Sequence, residues 1–264
     1  MHPQLTLALD TAPLTSFDSF HVSEANAVAR RSVAALVDGS SADQQVYVWG
    51  SFGCGKSHLL SAACQAVSAQ GYRIAYLTGE LASQSEALSG LEQCELVCID
   101  DLHDLESASE IDLCQCIERC RAAGTMLLFA ADRPPEELGG PVRPELAALL
   151  DLGPRFRVAA LEGEALREAL RAEAARRSLP LGDDVLDYLL RRFEPSMAAL
   201  RPVIDLLGDV SLSEQRRLTL SLVRSVFDGG VARGGTEGGG GGAGDGDDPA
   251  VGSGSSPTPT LRPV

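Results

Sequence analysis

Two rhythms of apolar residues divide the chain near Leu161. Before that point, short apolar and β-branched runs at 46–50, 73–78, 95–101 and 125–132 alternate with segments whose apolar residues recur every three or four positions. The helical segments cover 23–38 (Ala29, Val33, Leu36 and Val37 in register, Gly39 as stop), 55–69 (Leu59, Leu60, Ala63, Val67), a short stretch in the 80s, and one ending near Gly124. For the last of these, Ser107 and Glu110 have capping-box spacing. Strands alternating with helices predict an α/β fold, a parallel sheet with helices on both faces. After Leu161 only helical spacing persists, over 163–177, 183–193, 197–207 and about 214–227, punctuated by Pro180, Pro195 and Gly208. A small all-helical unit of residues 161–228 is therefore expected behind an α/β body of residues 16–160.

The two ends fall outside this scheme. Residues 1–15 alternate, with Leu5, Leu7 and Leu9 on one side of an extended backbone. Such a segment is either an edge strand or a peptide for another protein's groove. Residues 229–264 hold 13 of the 27 glycines, with Ser, Pro and Asp between them. That composition cannot bury enough apolar surface to offset the entropy of ordering, so a disordered tail is expected.

The first strand runs directly into Gly50-Ser51-Phe52-Gly53-Cys54-Gly55-Lys56-Ser57, which fits G-x-x-x-x-G-K-[ST] at every fixed position. Glycines let backbone N–H groups turn inward around a phosphate, and the helix that follows aims its unpaired N–H groups and positive dipole end at the same anion. Lys56 reaches the β- and γ-phosphates and the Ser57 hydroxyl holds Mg²⁺. Lys56 is also the only lysine among 22 basic residues, a compact point charge in a chain that otherwise uses arginine. Cys54 is read as a tolerated small side chain and not as a nucleophile.

The second motif is Glu95-Leu96-Val97-Cys98-Ile99-Asp100-Asp101. Four mainly apolar residues make a strand buried on both faces, and two acids emerge at its carboxyl end, where open α/β sheets bind ligands. An acid there, beside a phosphate loop, orders Mg²⁺ through water and can orient an attacking water. The next strand delivers Asp132 to the same edge and stops at Pro134 and Pro135.

Composition removes several alternatives. A formal net charge of −15 argues against a surface that reads nucleic-acid phosphates, so no direct sequence-specific DNA binding is expected. Seven cysteines, an odd number, and no cationic-then-apolar leader fit free thiols in a reducing cytoplasm. Neither Cys94 with Cys98 nor Cys114, Cys116 and Cys120 has zinc-site spacing. No apolar run is long enough to span a bilayer, so no membrane partner is expected.

Phosphate loop, acid-ended strand, a polar residue ending the next strand and a helical lid together resemble an AAA+ nucleotide-binding module. The wording of SFDSFHVSEANAVAR, GKSHLLSAAC, LVCIDD and ADRPP resembles the AAA+ domain of the replication initiator DnaA. A chain of this kind that ends where DnaA continues into its helix-turn-helix domain, and that carries QLTLAL near its start, is similar to the Hda family of regulatory inactivators of DnaA. The resemblance covers about residues 3–227. It implies ADP or ATP with Mg²⁺ as cofactor, DnaA and the DNA polymerase sliding clamp as partners, and self-association as a property of the class. Gln4, Leu5, Leu7 and Leu9 then match the clamp-binding peptide. The nucleotide-contacting set becomes Asn26, Gly53, Cys54, Gly55, Lys56, Ser57, His58 and Asp132, with Ser57 and Asp100 on the metal and Asp101 in the catalytic place. On the residues alone, Asn26 also reads as a surface helix position and Asp132 as the cap of the Asp-Arg-Pro-Pro turn.

Two departures from the family pattern limit what the resemblance implies. Its arginine finger falls at Leu149, and its sensor arginine after Pro195 falls at Ala198. Arg143, Arg155 and Arg201 are the arginines close enough in sequence to stand in. The expected function is a regulator of replication initiation that binds clamp and DnaA and promotes hydrolysis of ATP held by DnaA. The alternatives are an adaptor without that stimulation, or an ATPase active in replication.

Overall fold

The computed structural model describes residues 15–138, 144–214 and 216–228; the expected clamp peptide (Gln4, Leu5, Leu7, Leu9), Arg143 and the glycine-rich tail lie outside the described residues. Two compact units are present, one running to Ala169 and including Ser196–Ala198, the other Leu170–Pro195 with residues from Ala199 on.

The first unit is the α/β body. Its order is α1 (Ala27–Val37), β1 (Gln45–Trp49), α2 (Lys56–Ser68), β2 (Ile74–Thr78), α3 (Gly79–Ala82), β3 (Leu96–Asp100), α4 (Glu110–Ala123), β4 (Met126–Ala131), α5 (Pro144–Leu150) and β5 (Arg155–Arg157). All strand pairs are parallel, in the spatial order β2-β3-β4-β1-β5. Alternation along the strands sorts the side chains between two apolar layers. Val46, Val48, Leu96, Cys98, Leu128 and Ala130 pack on the side of α1 and α2. Tyr47, Val97, Ile99, Leu127, Phe129 and Ala131 pack with Leu113, Ile117 and Leu146 from α4 and α5. Because both faces are covered, the central strands read as unbroken apolar runs in sequence.

The fifth strand is an addition to the expected four. Arg155, Phe156 and Arg157 pair with β1 at the sheet edge, and only Phe156 of the three is apolar. So short an edge strand carries almost no periodic signal. The expected capping box does not form: Ser107–Ser109 make a 3₁₀ turn, α4 starts at Glu110, and Ser109 Oγ donates to Ser83 O at 2.7 Å.

The helical segment continues with α6 (Gly163–Arg176), α7 (Asp183–Arg192), α8 (Met197–Ser213) and α9 (Leu220–Asp228). Gly208, expected as a stop, lies inside α8. Glycine there costs about 1 kcal/mol, less than the roughly 1.5–3 kcal/mol from burying Leu207 alone on the face shared by Leu200, Val203 and Ile204. The second unit buries these residues with Leu186, Leu189, Leu222 and Val223, and Phe193 meets Phe227 edge to face at 5.2 Å. Among the described residues no helix is long and apolar enough to cross a membrane.

Candidate nucleotide site

The phosphate loop joins the end of β1 to the start of α2 at the carboxyl edge of the sheet. Two glycines are required by what surrounds them. A Cβ at Gly50 would stand 2.3 Å from the Val158 carbonyl oxygen, a backbone atom that cannot move aside. Gly55 has φ +106°, and a Cβ there would also meet the Phe20 ring at 2.9 Å. The helical ladder opens with Leu59 N–H on Gly55 O at 3.0 Å, so the N–H groups of the first turn face out of the helix end. Lys56 is 6% exposed and bends back over the loop, donating to Gly50 O at 2.8 Å and Ser51 O at 3.0 Å. Cys54 is buried inside the turn with Sγ 3.9 Å from Lys56 Nζ, and burial pushes its thiol pKa up against the pull of that ammonium. A buried, protonated thiol is not a nucleophile.

Asp100 ends β3 on the face that packs against α2, the same face as Cys98, whose Sγ touches Cys64 of α2 at 3.5 Å. It is 2% exposed; Oδ1 accepts the Asp101 N–H at 2.9 Å and Oδ2 accepts the Tyr76 hydroxyl at 2.5 Å. Asp101 follows with φ +47°, a left-handed conformation unusual outside glycine, and its carbonyl packs against Gly79. Burial first, and Asp100 second, raise the Asp101 carboxyl pKa. Asp132 stands just past β4 in a bidentate pair with Arg133, at 2.8 and 2.6 Å, which holds its carboxyl below the usual range. His103 Nδ1 lies 3.9 Å from Asp132 Oδ1, linking the loop after β3 to the end of β4.

Other predicted positions have different surroundings. Asn26 is 1% exposed and not a surface residue: its Oδ1 accepts Ser23 N–H at 2.7 Å and its Nδ2 donates to His21 O at 3.2 Å, so it shapes the turn before α1. His58 Nε2 donates to Ser16 O at 3.1 Å and lies 3.0 Å from Ser19 Oγ, with Phe20 edge-on at 5.4 Å, so it holds residues 16–20 against α2. Leu149 packs into the apolar layer under α4, while its carbonyl, with that of Leu150, accepts the buried Gln45 amide at 2.9 Å. Arg155 pairs with Glu136 at 2.7 Å and Asp151 at 3.2 Å. Ala198 belongs to the first unit, and its Cβ would lie 3.0 Å from a Cβ built on Gly53. Arg201, in the second unit, faces the buried Glu173 at 3.3 Å, a carboxylate also engaged by Arg176 and Arg177. Tyr76 and His103 escaped sequence reasoning because neither belongs to a spaced motif; only the strand register brings Tyr76 beside Asp100.

These residues fit a Mg²⁺-nucleotide. The loop has glycine where a Cβ would fill the turn, a buried ammonium faces the loop carbonyls, and an acid with a fixed carboxylate stands on the strand face that packs against α2. Gly53–Ser57 would hold the phosphates, and Ser57 and Asp100 would serve the metal, which when bound neutralises phosphate charge.

Residues 163–227 match the family model described as Hda, lid domain, and residues 12–143 match the bacterial DnaA ATPase domain. Domain III of the Thermotoga maritima replication initiation protein DnaA superposes with a TM-score of 0.72 at 18% identity, covering 83% of this chain and 97% of that one. AMPPCP-bound DnaA from Aquifex aeolicus gives 0.65 at 23% identity, covering 73% and 64%. The Thermotoga maritima Holliday-junction branch-migration motor RuvB gives 0.62 at 17%, covering 81% and 71%. The fold is thus that of AAA+ proteins. With half its length, phosphate loop and acid-ended strand included, inside the DnaA match and an Hda-type lid behind it, the chain belongs to the bacterial DnaA ATPase-domain family.

Proposed function

We propose that this chain is a nucleotide-binding regulator of replication initiation that binds an adenine nucleotide with Mg²⁺ in the phosphate loop, tethers to the sliding clamp through Gln4, Leu5, Leu7 and Leu9, and engages DnaA so that DnaA-bound ATP is hydrolysed. The observation that carries this reading is the joining, in one chain, of a DnaA-type nucleotide-binding unit to an Hda-type lid. The AMPPCP in Aquifex DnaA supports the adenine nucleotide. Asp132 serves as the sensor at the end of β4 and Asp101 as the water-orienting acid.

The test measures ATP hydrolysis by DnaA with DNA-loaded clamp, with and without this protein, and with Leu5 and Leu7 changed to alanine. Stimulation that the double variant abolishes is the expected result. Clamp binding without stimulation would overturn it in favour of a second reading, a nucleotide-responsive adaptor. That reading draws on Leu149, whose half-buried apolar side chain at the finger position packs against the core and cannot stabilise charge on a partner's γ-phosphate.

A further inference from the structure

The carboxylate of Asp100 is held by a residue that no motif names. Tyr76 stands on β2, paired in register with Cys98 of β3, while Asp100 pairs with Thr78 two residues further on. Tyr76, Cys98 and Asp100 therefore share the face of the sheet that packs against α2. The Tyr76 ring is lodged against the apolar layer there, and its hydroxyl donates to Asp100 Oδ2 at 2.5 Å. The other oxygen accepts the Asp101 N–H at 2.9 Å. One donor comes from a neighbouring strand and one from the strained turn that follows β3, and together they fix the plane of the carboxylate.

We propose that Tyr76 is a positioning residue for Asp100, fixing the carboxylate orientation in which it serves the Mg²⁺ of a bound nucleotide. The inference rests on the nucleotide-binding reading above. Groups that orient a metal-serving carboxylate from behind are worth about 10–100-fold in metal affinity. A tyrosine serving only to fill the apolar layer would lose nothing of this kind on removal of its hydroxyl.

The experiment titrates Mg²⁺ against binding of a fluorescent ADP analogue to the full chain, for the wild type, Tyr76→Phe, Asp100→Asn and the double variant, with analogue affinity in EDTA measured alongside. Tyr76→Phe is expected to raise the Mg²⁺ midpoint at least about tenfold, to leave affinity in EDTA within about twofold, and to add nothing in the Asp100→Asn background. A midpoint within about twofold of wild type, or an equal effect with Asp100 already changed, overturns the proposal while the nucleotide reading stands. If the wild type binds no analogue, the nucleotide reading itself fails and Tyr76 falls with it. Should Tyr76→Phe not fold by circular dichroism, a fluorotyrosine at position 76, which keeps ring and hydroxyl and changes only donor strength, must shift the midpoint, and an unshifted midpoint overturns the proposal.

Discussion

Asp101 concentrates the tension of the site in one residue. Its φ of +47° is tolerated by Asp and Asn but costs a β-branched residue roughly 1–2 kcal/mol, so Asp101→Val should lower the unfolding free energy from urea titration by that amount while Asp101→Asn should not. The charge has its own signature. A folded-state pKa raised above the ordinary 3.8 means the ionised form is disfavoured on folding, a penalty present at neutral pH and relieved as pH falls through the raised value. Asp101→Asn should therefore stabilise the protein at pH 7, and the gain should vanish in melts run near pH 3.5; a gain constant with pH would contradict the assignment. At this scale Gly55, Lys56 and Ser57 stand out by their spacing, because phosphate chemistry dictates residue type at fixed offsets, and Asp100 by its place at the end of an apolar strand. His58 and Asn26 were placed by resemblance, and their hydrogen bonds to Ser16, His21 and Ser23 depend on how a loop lies, which spacing does not record.

Among the elements, α5 is tied down by a single side chain. Gln45 is fully buried; its amide donates to Leu149 O and Leu150 O, and its Oε1 accepts Arg121 at 3.1 Å. It closes the C-terminal end of a seven-residue helix too short to hold itself together. Gln45→Leu keeps the volume but takes the donor from the Leu150 carbonyl, while Leu149 O keeps the Leu152 N–H at 3.3 Å; an unsatisfied buried group costs about 1–3 kcal/mol. The expected result is a fall in guanidinium midpoint of several tenths molar with the m-value unchanged. In sequence, Gln45 opens a strand and nothing marks it as a helix cap. The three central strands, β1, β3 and β4, were legible because each is buried on both faces; β5 was not, because three residues at an edge half-bury a single apolar side chain.

For the whole molecule, the two units offer separate handles. Trp49, the single tryptophan, lies on β1 and reports the first unit only. Glu173 is 4% exposed in the second unit, faced by Arg176, Arg177 and Arg201, with Asp205 on Arg177. Removing a buried counter-ion costs about 3–5 kcal/mol. Glu173→Ala should split thermal unfolding, with far-UV circular dichroism showing an early loss of helix while the Trp49 fluorescence transition stays in place. A single shifted transition seen by both probes would mean that the units unfold as one. The same cluster engages Arg201, so its charge is matched inside the second unit.

By itself the sequence determined the alternation of strands and helices, the phosphate loop and the acid-ended strand, because burial on two faces and phosphate recognition both impose local, periodic demands on residue type. Tertiary structure alone decided the strand order, the fifth strand, the Tyr76 to Asp100 hydrogen bond and the closing of α5 by Gln45. Each of these joins residues more than twenty positions apart, and such contacts arise from register and packing that no local pattern encodes.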